Sequence, residues 1–321
     1  MLHITPRRIL AAACALAAAV SLASCGSSSA SDATPTLRVA YLSTANYLTT
    51  LKDEDFAQTS LSPAKVQFKG PFNPDDAYTT VTSGAADATS TGTGHFIDLI
   101  AENQPWVAFA LEYYTGDSQG IVAAPNSGVN TLKDLYGKKV ALISKGGTGD
   151  YIIHQAFAYN GLDASQVQEV EMSPSNFSAA FTSGQVDAIA TFDQNLAAAI
   201  VTPGAKLLTD GTRYDSLNVS IHMVAKSFAE QHPDLVRKLY DALVEESGKA
   251  QKDPSVITNA YKEFGASESL VQQIAKFDVP EIRPIDDAGL AQLEQQARQY
   301  VDFGFIDAVP DLKSAVIDCS K

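Results

Sequence analysis

The sequence predicts an α/β protein of two similarly built lobes, each with a mainly parallel β-sheet flanked by helices. Strand-like and helix-like runs alternate through both halves of the 321-residue chain, a pattern typical of parallel sheets covered by helices. A short tag occurs once in each half, as TSGAADA at 82–88 and TSGQVDA at 182–188. From about residue 228 the pattern changes to helices only.

The first half alternates short apolar runs with helical patterns. Residues 37–43 (LRVAYLS) are rich in apolar and aromatic side chains and predict a buried strand, and residues 65–72 predict the next strand. An Asn-Pro start and a terminal Gly make 73–84 a predicted helix. The remaining elements of this half are predicted as a strand at 85–92, a helix at 95–104 and a strand at 106–115.

The second half repeats this order before a helical tail begins. Its strands are predicted at 138–144, 167–173, 186–192 and 205–211, and its helices at 148–161, 174–184 and 193–201. Four tail helices are predicted at 233–251, 254–265, 268–277 and 288–305. Their apolar residues recur at helical spacing, so we expect them to pack against the body of the protein.

The repeated tag predicts a structural role. Its Ser-Gly predicts a helix C-terminus, because Gly adopts the left-handed conformation at no steric cost. The Asp-Ala that follows starts the next strand, whereas ligands bind at the opposite, carboxyl ends of parallel strands. We therefore expect Asp87 and Asp187 to be structural, and the far ends of their strands, at 91–93 and 192–195, to face a shared cleft.

The composition is that of an acidic globular protein. Hydrophobic residues make up 45% and charged residues 19%, and the formal net charge is −14. Such a surface repels phosphates, so nucleic acid is not an expected partner.

The N-terminus predicts a bacterial lipoprotein signal peptide at 1–24. Two arginines precede an apolar stretch too short to span a bilayer, which ends in LASC at 22–25. This ending resembles a lipobox, which implies that Cys25 carries lipid and begins the mature chain; a plain secretory signal is the alternative. The Gly/Ser-rich segment 25–36 then predicts a flexible tether. The expected location is the extracytoplasmic face of the cell membrane, with a lipid anchor.

The cysteines and histidines indicate neither disulfides nor a metal site. With Cys14 in the predicted signal and Cys25 lipidated, only Cys319 remains in the body of the protein. The histidines are scattered without metal-ligand spacing. We therefore expect no cofactor and no bound metal.

A set of motifs between residues 127 and 193 is distinctive. SGVNTLKDLYGKKVA at 127–141 precedes KGGTGDY at 145–151, which opens a helix that NGL at 160–162 closes. SGQVDA at 183–188 and Phe-Asp at 192–193 follow. These motifs resemble the periplasmic substrate-binding proteins of ABC importers, in particular the aliphatic sulfonate/nitrate/taurine-binding family.

The resemblance covers about residues 37–228 and implies a type II periplasmic-binding-protein fold, in which two segments cross between the lobes. We place the crossings near 116–122 and 214–222, where few backbone changes would let the lobes close. The predicted parts are a signal peptide at 1–24, a tether at 25–36, lobe 1 at 37–119, lobe 2 at 120–216, and a return to lobe 1 with the C-terminal helices at 217–321.

The turn at 145–151 is a candidate ligand contact. A glycine-rich turn between a strand and a helix presents backbone N–H groups at the positive end of the helix dipole, which suits a sulfonate or similar anion. The family's usual pattern here is closer to Gly-Ser-Thr-Ala-His, whereas Gly147, Gly149 and Asp150 replace Ser, Ala and His. These replacements weaken the case for a simple anion, and a close-packed turn with no ligand is the alternative.

The segment after the second tag departs from the family in the same direction. The family favours Trp-Asp-Pro-Tyr, but Asp193 is here followed by Gln-Asn and preceded by Phe. Asp150, Asp193 and Glu112 could then bind an amine, as in an aminosulfonate, or a neutral nitrogen-rich ligand. The expected ligand-binding residues are Asn46, Thr91, Gly92, Thr93, Gly147, Thr148, Gly149, Asp150, Phe192, Asp193 and Gln194.

One motif points to catalysis. GDSQG at 116–120 matches the G-x-S-x-G motif of serine hydrolases, which requires a helix directly after the serine. A strand-like run ending at Pro125 follows instead, so Ser118 is expected in the hinge and the protein is not expected to be an enzyme.

The resemblance implies an extracytoplasmic solute-binding lipoprotein that delivers a small ligand to an ABC permease and its ATPase, acting as a monomer. An alkanesulfonate or taurine-like molecule is the expected ligand. One alternative is a nitrogen-containing ligand such as a thiamine-precursor pyrimidine. Another is a surface lipoprotein that has a receptor-derived fold and does not take part in transport.

Overall fold

The structure, a computed structural model, describes residues 34–321 without the side chain of Asp75. The predicted signal peptide, the predicted lipidation site Cys25 and most of the predicted tether lie outside the described residues. Within 34–321, none of the helices combines the length and the apolar character needed to cross a membrane.

Strands and α-helices alternate through most of residues 36–210, as the sequence predicts, although three strands between residues 106 and 142 follow one another without an α-helix. In chain order the strands are β1 (Thr36–Leu42), β2 (Lys65–Phe72), β3 (Ala88–Gly92), β4 (Trp106–Tyr113), β5 (Gln119–Ala123), β6 (Lys139–Leu142), β7 (Gln168–Glu171), β8 (Ala188–Phe192), β9 (Lys206–Asp210), β10 (Ser220–Ala225) and β11 (Glu281–Arg283). The strand β11 lies in the tail that was expected to contain helices only, and it pairs with β4.

The helices cover both sheets and form most of the C-terminal third. In chain order they are α1 (Tyr47–Thr50), α2 (Asp55–Ser60), α3 (Pro74–Thr82), α4 (Thr93–Ala101), α5 (Thr148–Tyr159), α6 (Pro174–Thr182), α7 (Asp193–Val201), α8 (Lys226–Gln231), α9 (Pro233–Ala250), α10 (Ser255–Glu263), α11 (Glu268–Ile274) and α12 (Asp287–Asp302).

Two sheets share one strand order, which confirms the predicted two-lobed α/β architecture. The first sheet has the order β11-β4-β10-β3-β1-β2 and the second the order β7-β6-β8-β5-β9. Apart from β11, the order β4-β10-β3-β1-β2 corresponds strand by strand to β9-β5-β8-β6-β7. In each sheet the strand that follows a crossing, β10 or β5, runs antiparallel to both neighbours, and the strands on its two sides share one direction.

The chain passes between the sheets twice. Residues 114–118 lead from β4 to β5, and residues 211–219 lead from β9 to β10. The sequence-based crossings at 116–122 and 214–222 overlap these segments, and the lobe limits drawn from them stay predictions.

The two tags occupy equivalent positions in the two sheets. The Arg38 N–H donates to Asp87 Oδ2 at 2.8 Å, and the Lys139 N–H donates to Asp187 Oδ2 at 2.9 Å. Each aspartate therefore joins the start of its own strand to the start of the neighbouring parallel strand. The glycine of each tag has a positive φ, 74° in the first and 73° in the second, as expected for a helix C-terminus.

Apolar clusters lie on both faces of each sheet, and one further cluster involves elements from both halves of the chain. This bridging cluster contains Ala45 after β1, Ala197 on α7, Ala260 and Tyr261 on α10, and Ile274 on α11. Because α10 and α11 contact both lobes here, they close one side of the space between the sheets.

Candidate functional site

A cavity of about 60 Å³ lies where the ends of the two sheets meet α10 and α11. Glu112 at the end of β4, Ser118 in the first crossing and Asp193 after β8 line it from the sheets. The segment 275–280 after α11 lines the other side. One water molecule needs about 10–15 Å³ of such space, so this cavity suits a small ligand.

The Glu112 side chain on the cavity wall is fixed by hydrogen bonds. Its side chain is buried, and Oε2 accepts hydrogen bonds from the Tyr47 N–H and the His222 Nε2–H, both at 2.9 Å. On the other side of the imidazole, His222 Nδ1 lies 2.8 Å from Ser90 Oγ. The row Ser90–His222–Glu112 has the residue types of a hydrolase triad, but Ser90 is buried in mid-strand and does not line the cavity, so the row positions Glu112.

Asn46, one of the expected ligand-binding residues, lines the cavity and also organises the chain around it. Its Oδ1 accepts hydrogen bonds from the Leu48 and Thr49 N–H groups at 3.1 and 3.2 Å, which caps α1. Ser90 Oγ donates to the same oxygen at 3.1 Å. The amide oxygen of Asn46 is therefore engaged in the fold.

Asp193 is the strained acidic residue of the cavity. Its φ of 48° lies in the left-handed region, and its N–H donates to the Ser118 carbonyl at 2.8 Å, so the first crossing holds it in place. Burial, and then the negative charge of Glu112, raise the pKa of Asp193 to about 7. A positively charged group that enters the cavity would therefore lower this pKa and favour the ionised carboxylate.

The charge of the cavity is negative. Glu112, Asp193 and Asp278 contribute carboxyl groups, and among the described residues that line the cavity there is no lysine or arginine. Tyr114 and Tyr261 also line it, and burial raises the pKa of both phenols, which keeps them neutral. The cavity therefore complements a ligand that carries a cationic or N–H-rich group.

The predicted anion-binding residues meet elsewhere, at Asn218 in the second crossing. Thr148 Oγ1, at the start of α5, accepts from Asn218 Nδ2 at 3.1 Å, and the Gly94 N–H on α4 donates to Asn218 Oδ1 at 3.1 Å. A Cβ atom on Gly92 would lie 3.3 Å from Thr148 Oγ1. The two helix N-termini therefore pack against each other through Asn218.

The other predicted residues have local partners or flank the cavity. Thr93 Oγ1 accepts from the Val219 N–H at 3.1 Å, and Thr91 Oγ1 accepts from the Tyr78 hydroxyl at 2.6 Å. A Cβ atom on Gly149 would lie 2.4 Å from the Ala190 carbonyl oxygen, so Gly149 lets α5 approach β8 closely. The remaining residues are Gly147, which caps α5, Asp150, which faces His154, and Phe192 and Gln194, which flank Asp193 and are half-buried.

Of the predicted set, the structure places Asn46 and Asp193 on the cavity. The sequence analysis missed Ser220 and Tyr261. Tyr261 lies on an amphipathic tail helix, where the periodicity indicates a packing stripe, so its place at the cavity has no sequence signal.

Comparisons with known proteins agree with the predicted resemblance. A protein of Escherichia coli (strain K12) named as an aliphatic sulfonates-binding protein is 28% identical over 216 residues, which is 66% of each chain. The taurine-binding periplasmic protein of the same organism is 24% identical over 62% of this chain and 66% of its own. The matches thus span just under two thirds of these relatives.

A solved structure has the same fold over nearly the whole chain. The alkanesulfonate-binding protein SsuA from Xanthomonas axonopodis pv. citri, bound to MOPS, superposes with a TM-score of 0.79 at 20% identity, covering 89% of this chain and 99% of that one. The NMT1/THI5-like family profile matches residues 64–256, more than half of the chain. The chain therefore belongs to the NMT1/THI5-like family, and its fold is that of a two-lobed periplasmic binding protein.

Proposed function

We propose that this protein is the extracytoplasmic solute-binding component of an ABC importer, which binds a small ligand in the cavity and delivers it to a permease and its ATPase. The names of the relatives and the fold support this role. The two crossings, at 114–118 and 211–219, would act as the hinge that lets the lobes close on a ligand. The protein would bind its ligand without covalent chemistry, as a monomer.

The proposed ligand is an alkanesulfonate of the taurine type, with an ammonium group as well as a sulfonate. The observation that carries this choice is the pair of carboxyl groups, Glu112 and Asp193, on one small cavity. An ammonium would bind between them, and the hydroxyls of Ser118 and Ser220 would donate to sulfonate oxygens. An alkanesulfonate without the amine would leave the negative charge of these carboxyl groups uncompensated.

A second candidate is a nitrogen heterocycle such as a thiamine-precursor pyrimidine. The same carboxyl groups would bind its amino and ring nitrogens, and Tyr114 and Tyr261 would provide aromatic contacts. The small cavity volume favours the first candidate.

Thermal unfolding in the presence of matched ligands tests the proposal. Taurine should raise the melting temperature by several degrees at concentrations far above its Kd, because ligand binding stabilises the folded state. Ethanesulfonate, which lacks the amine, should raise it less. An equal or larger effect of ethanesulfonate would contradict the role of the carboxyl groups, and a response to an aminopyrimidine alone would favour the second candidate. No response to any of these compounds would favour a surface lipoprotein without a transport role.

We also propose that Cys25 carries the lipid anchor, since LASC at 22–25 matches a lipobox. In bacterial cells, Cys25→Ser should release the protein from the membrane fraction into the soluble fraction. Cys14→Ser changes the other cysteine of the same segment and should leave the protein at the membrane. Equal membrane retention of both variants would refute the anchor.

A further inference from the structure

Three potential metal ligands meet on the second lobe, away from the cavity. Asp150 and His154 lie one turn apart on α5, and Glu169 lies on the neighbouring strand β7. One oxygen or nitrogen atom from each of the three lies within 4.8 Å of the others. None of these residues lines the proposed solute cavity.

One ligand atom of this cluster is buried without a hydrogen bond. Asp150 is 2% exposed, and its Oδ2 accepts from the Gly146 N–H at 2.8 Å. Its Oδ1 is buried and makes no hydrogen bond within the part of the chain that the structure describes. The nitrogen His154 Nε2 lies 3.3 Å from this oxygen without forming a hydrogen bond, so a cation held between the two atoms would satisfy a carboxylate oxygen that is otherwise costly to bury.

The distances fit a tetrahedral ion. His154 Nε2 lies 3.3 Å from Asp150 Oδ1 and 3.8 Å from Glu169 Oε1. With bonds of about 2.0–2.1 Å to nitrogen and oxygen, two ligands of a tetrahedral Zn²⁺ ion lie about 3.3 Å apart. The first distance matches this value, and the second is longer.

The surroundings orient the imidazole. The rings of Phe303 and Phe305 lie 5.2 and 4.9 Å from the His154 ring, centroid to centroid, and pack against it. The positive charge of Lys145 acts on both His154 and Glu169. This charge would repel a bound cation. The side chains of His154 and Glu169 are partly exposed, which leaves a path for an ion and a fourth, water ligand.

We propose that Asp150, His154 and Glu169 form a binding site for a divalent transition-metal ion of the zinc type. One imidazole and two carboxylates are ligands that Zn²⁺ accepts, with a water molecule in the fourth position. A bound ion would link α5 to β7 and stabilise the second lobe. The site is independent of the proposed solute site and revises the expectation of no metal drawn from the sequence.

Calorimetric titration with ZnCl₂ tests the site directly. The protein, purified without a polyhistidine tag and treated with EDTA, should bind one Zn²⁺ ion per chain. His154→Gln and Glu169→Gln should each weaken this binding by at least about tenfold. Glu171→Gln removes the same charge from a neighbouring position on β7 and should change the affinity by less than about threefold.

Anomalous scattering at the zinc edge provides a readout that does not depend on the variants. The ion should lie within about 2.0–2.2 Å of the three ligand atoms. An ion elsewhere, no saturable binding, or equal affinity of the wild type and the folded His154→Gln and Glu169→Gln variants would overturn the proposal.

Discussion

Replacing Asp193 with asparagine is expected to weaken the binding of an amine-bearing ligand by roughly 10- to 100-fold and to stabilise the ligand-free protein above pH 7. Both effects have one cause. Burial and the charge of Glu112 raise the pKa of Asp193 to about 7, so ionising this carboxyl in the ligand-free cavity costs free energy. A ligand ammonium offsets that cost when it binds. Asparagine has no group to ionise, so in the variant the cost is absent. Asparagine also tolerates the left-handed φ of 48°.

The pH dependence follows from the raised pKa. The folded protein binds the Asp193 proton more tightly than the unfolded chain, in which an aspartate has a pKa of about 3.9. Stability is therefore lost as the pH rises from about 4 to about 7, and the loss is constant above that range. Asp193→Asn should recover roughly 2 to 4 kcal/mol above pH 7. In the wild type, affinity for an amine ligand should rise from about pH 6 to about pH 8, because the ionised carboxylate binds the ammonium.

Urea unfolding at about pH 5 and about pH 8, combined with calorimetric titration of taurine, measures both effects. Asp278→Asn is the matched control, since Asp278 also lines the cavity but is exposed. This control should change the free energy of unfolding by less than about 0.5 kcal/mol. A variant at Asp193 that binds taurine like the wild type, or that is less stable at the higher pH, would contradict the assignment.

The local pattern of the sequence was enough to predict most of the elements. Strand β2 has the predicted bounds, 65–72, because alternating side chains mark a half-buried strand regardless of its partners. The repeated tag correctly indicated two equivalent strands, since Asp87 and Asp187 make equivalent bonds to the neighbouring strand. The antiparallel direction of β5 and β10 had no such signal, because strand direction depends on contacts distant in sequence.

The local sequence pointed to two of the residues that line the cavity, Asn46 and Asp193. Asp193 follows a strand end and was identified from that position, whereas the partner of Thr148, Asn218, lies 70 residues away in a segment without a motif. The i,i+4 spacing of Asp150 and His154 is visible in the sequence, but their contact with Glu169 depends on how α5 packs against the sheet. Buried polar groups find partners through tertiary structure, which local periodicity does not report.

Glu112→Ala is expected to destabilise the protein by about 3 to 5 kcal/mol. Glu112 is 2% exposed and accepts from the Tyr47 N–H and the His222 Nε2–H, so alanine leaves two buried donors without an acceptor. Glu112→Gln keeps an oxygen at this position and should cost less, about 1 to 3 kcal/mol. Urea unfolding measures both values.

A double-mutant cycle separates the pair from the single residues. The loss from Glu112→Ala together with His222→Ala should be smaller than the sum of the two single losses by about 1 to 3 kcal/mol, because each single variant leaves the other partner unsatisfied. Additive losses would show that the 2.9 Å contact between Glu112 and His222 contributes no coupling.

Glu112→Gln also tests how the buried row acts on the ligand site. The charge of Glu112 helps to raise the pKa of Asp193, so its removal should lower that pKa. The rise of taurine affinity with pH should then occur at a lower pH than in the wild type. His222→Gln keeps the charge of Glu112 and should leave the pH range unchanged even though it costs stability. An identical pH range in wild type and Glu112→Gln would mean that burial alone sets the ionisation of Asp193, and that Glu112 acts only through the fold.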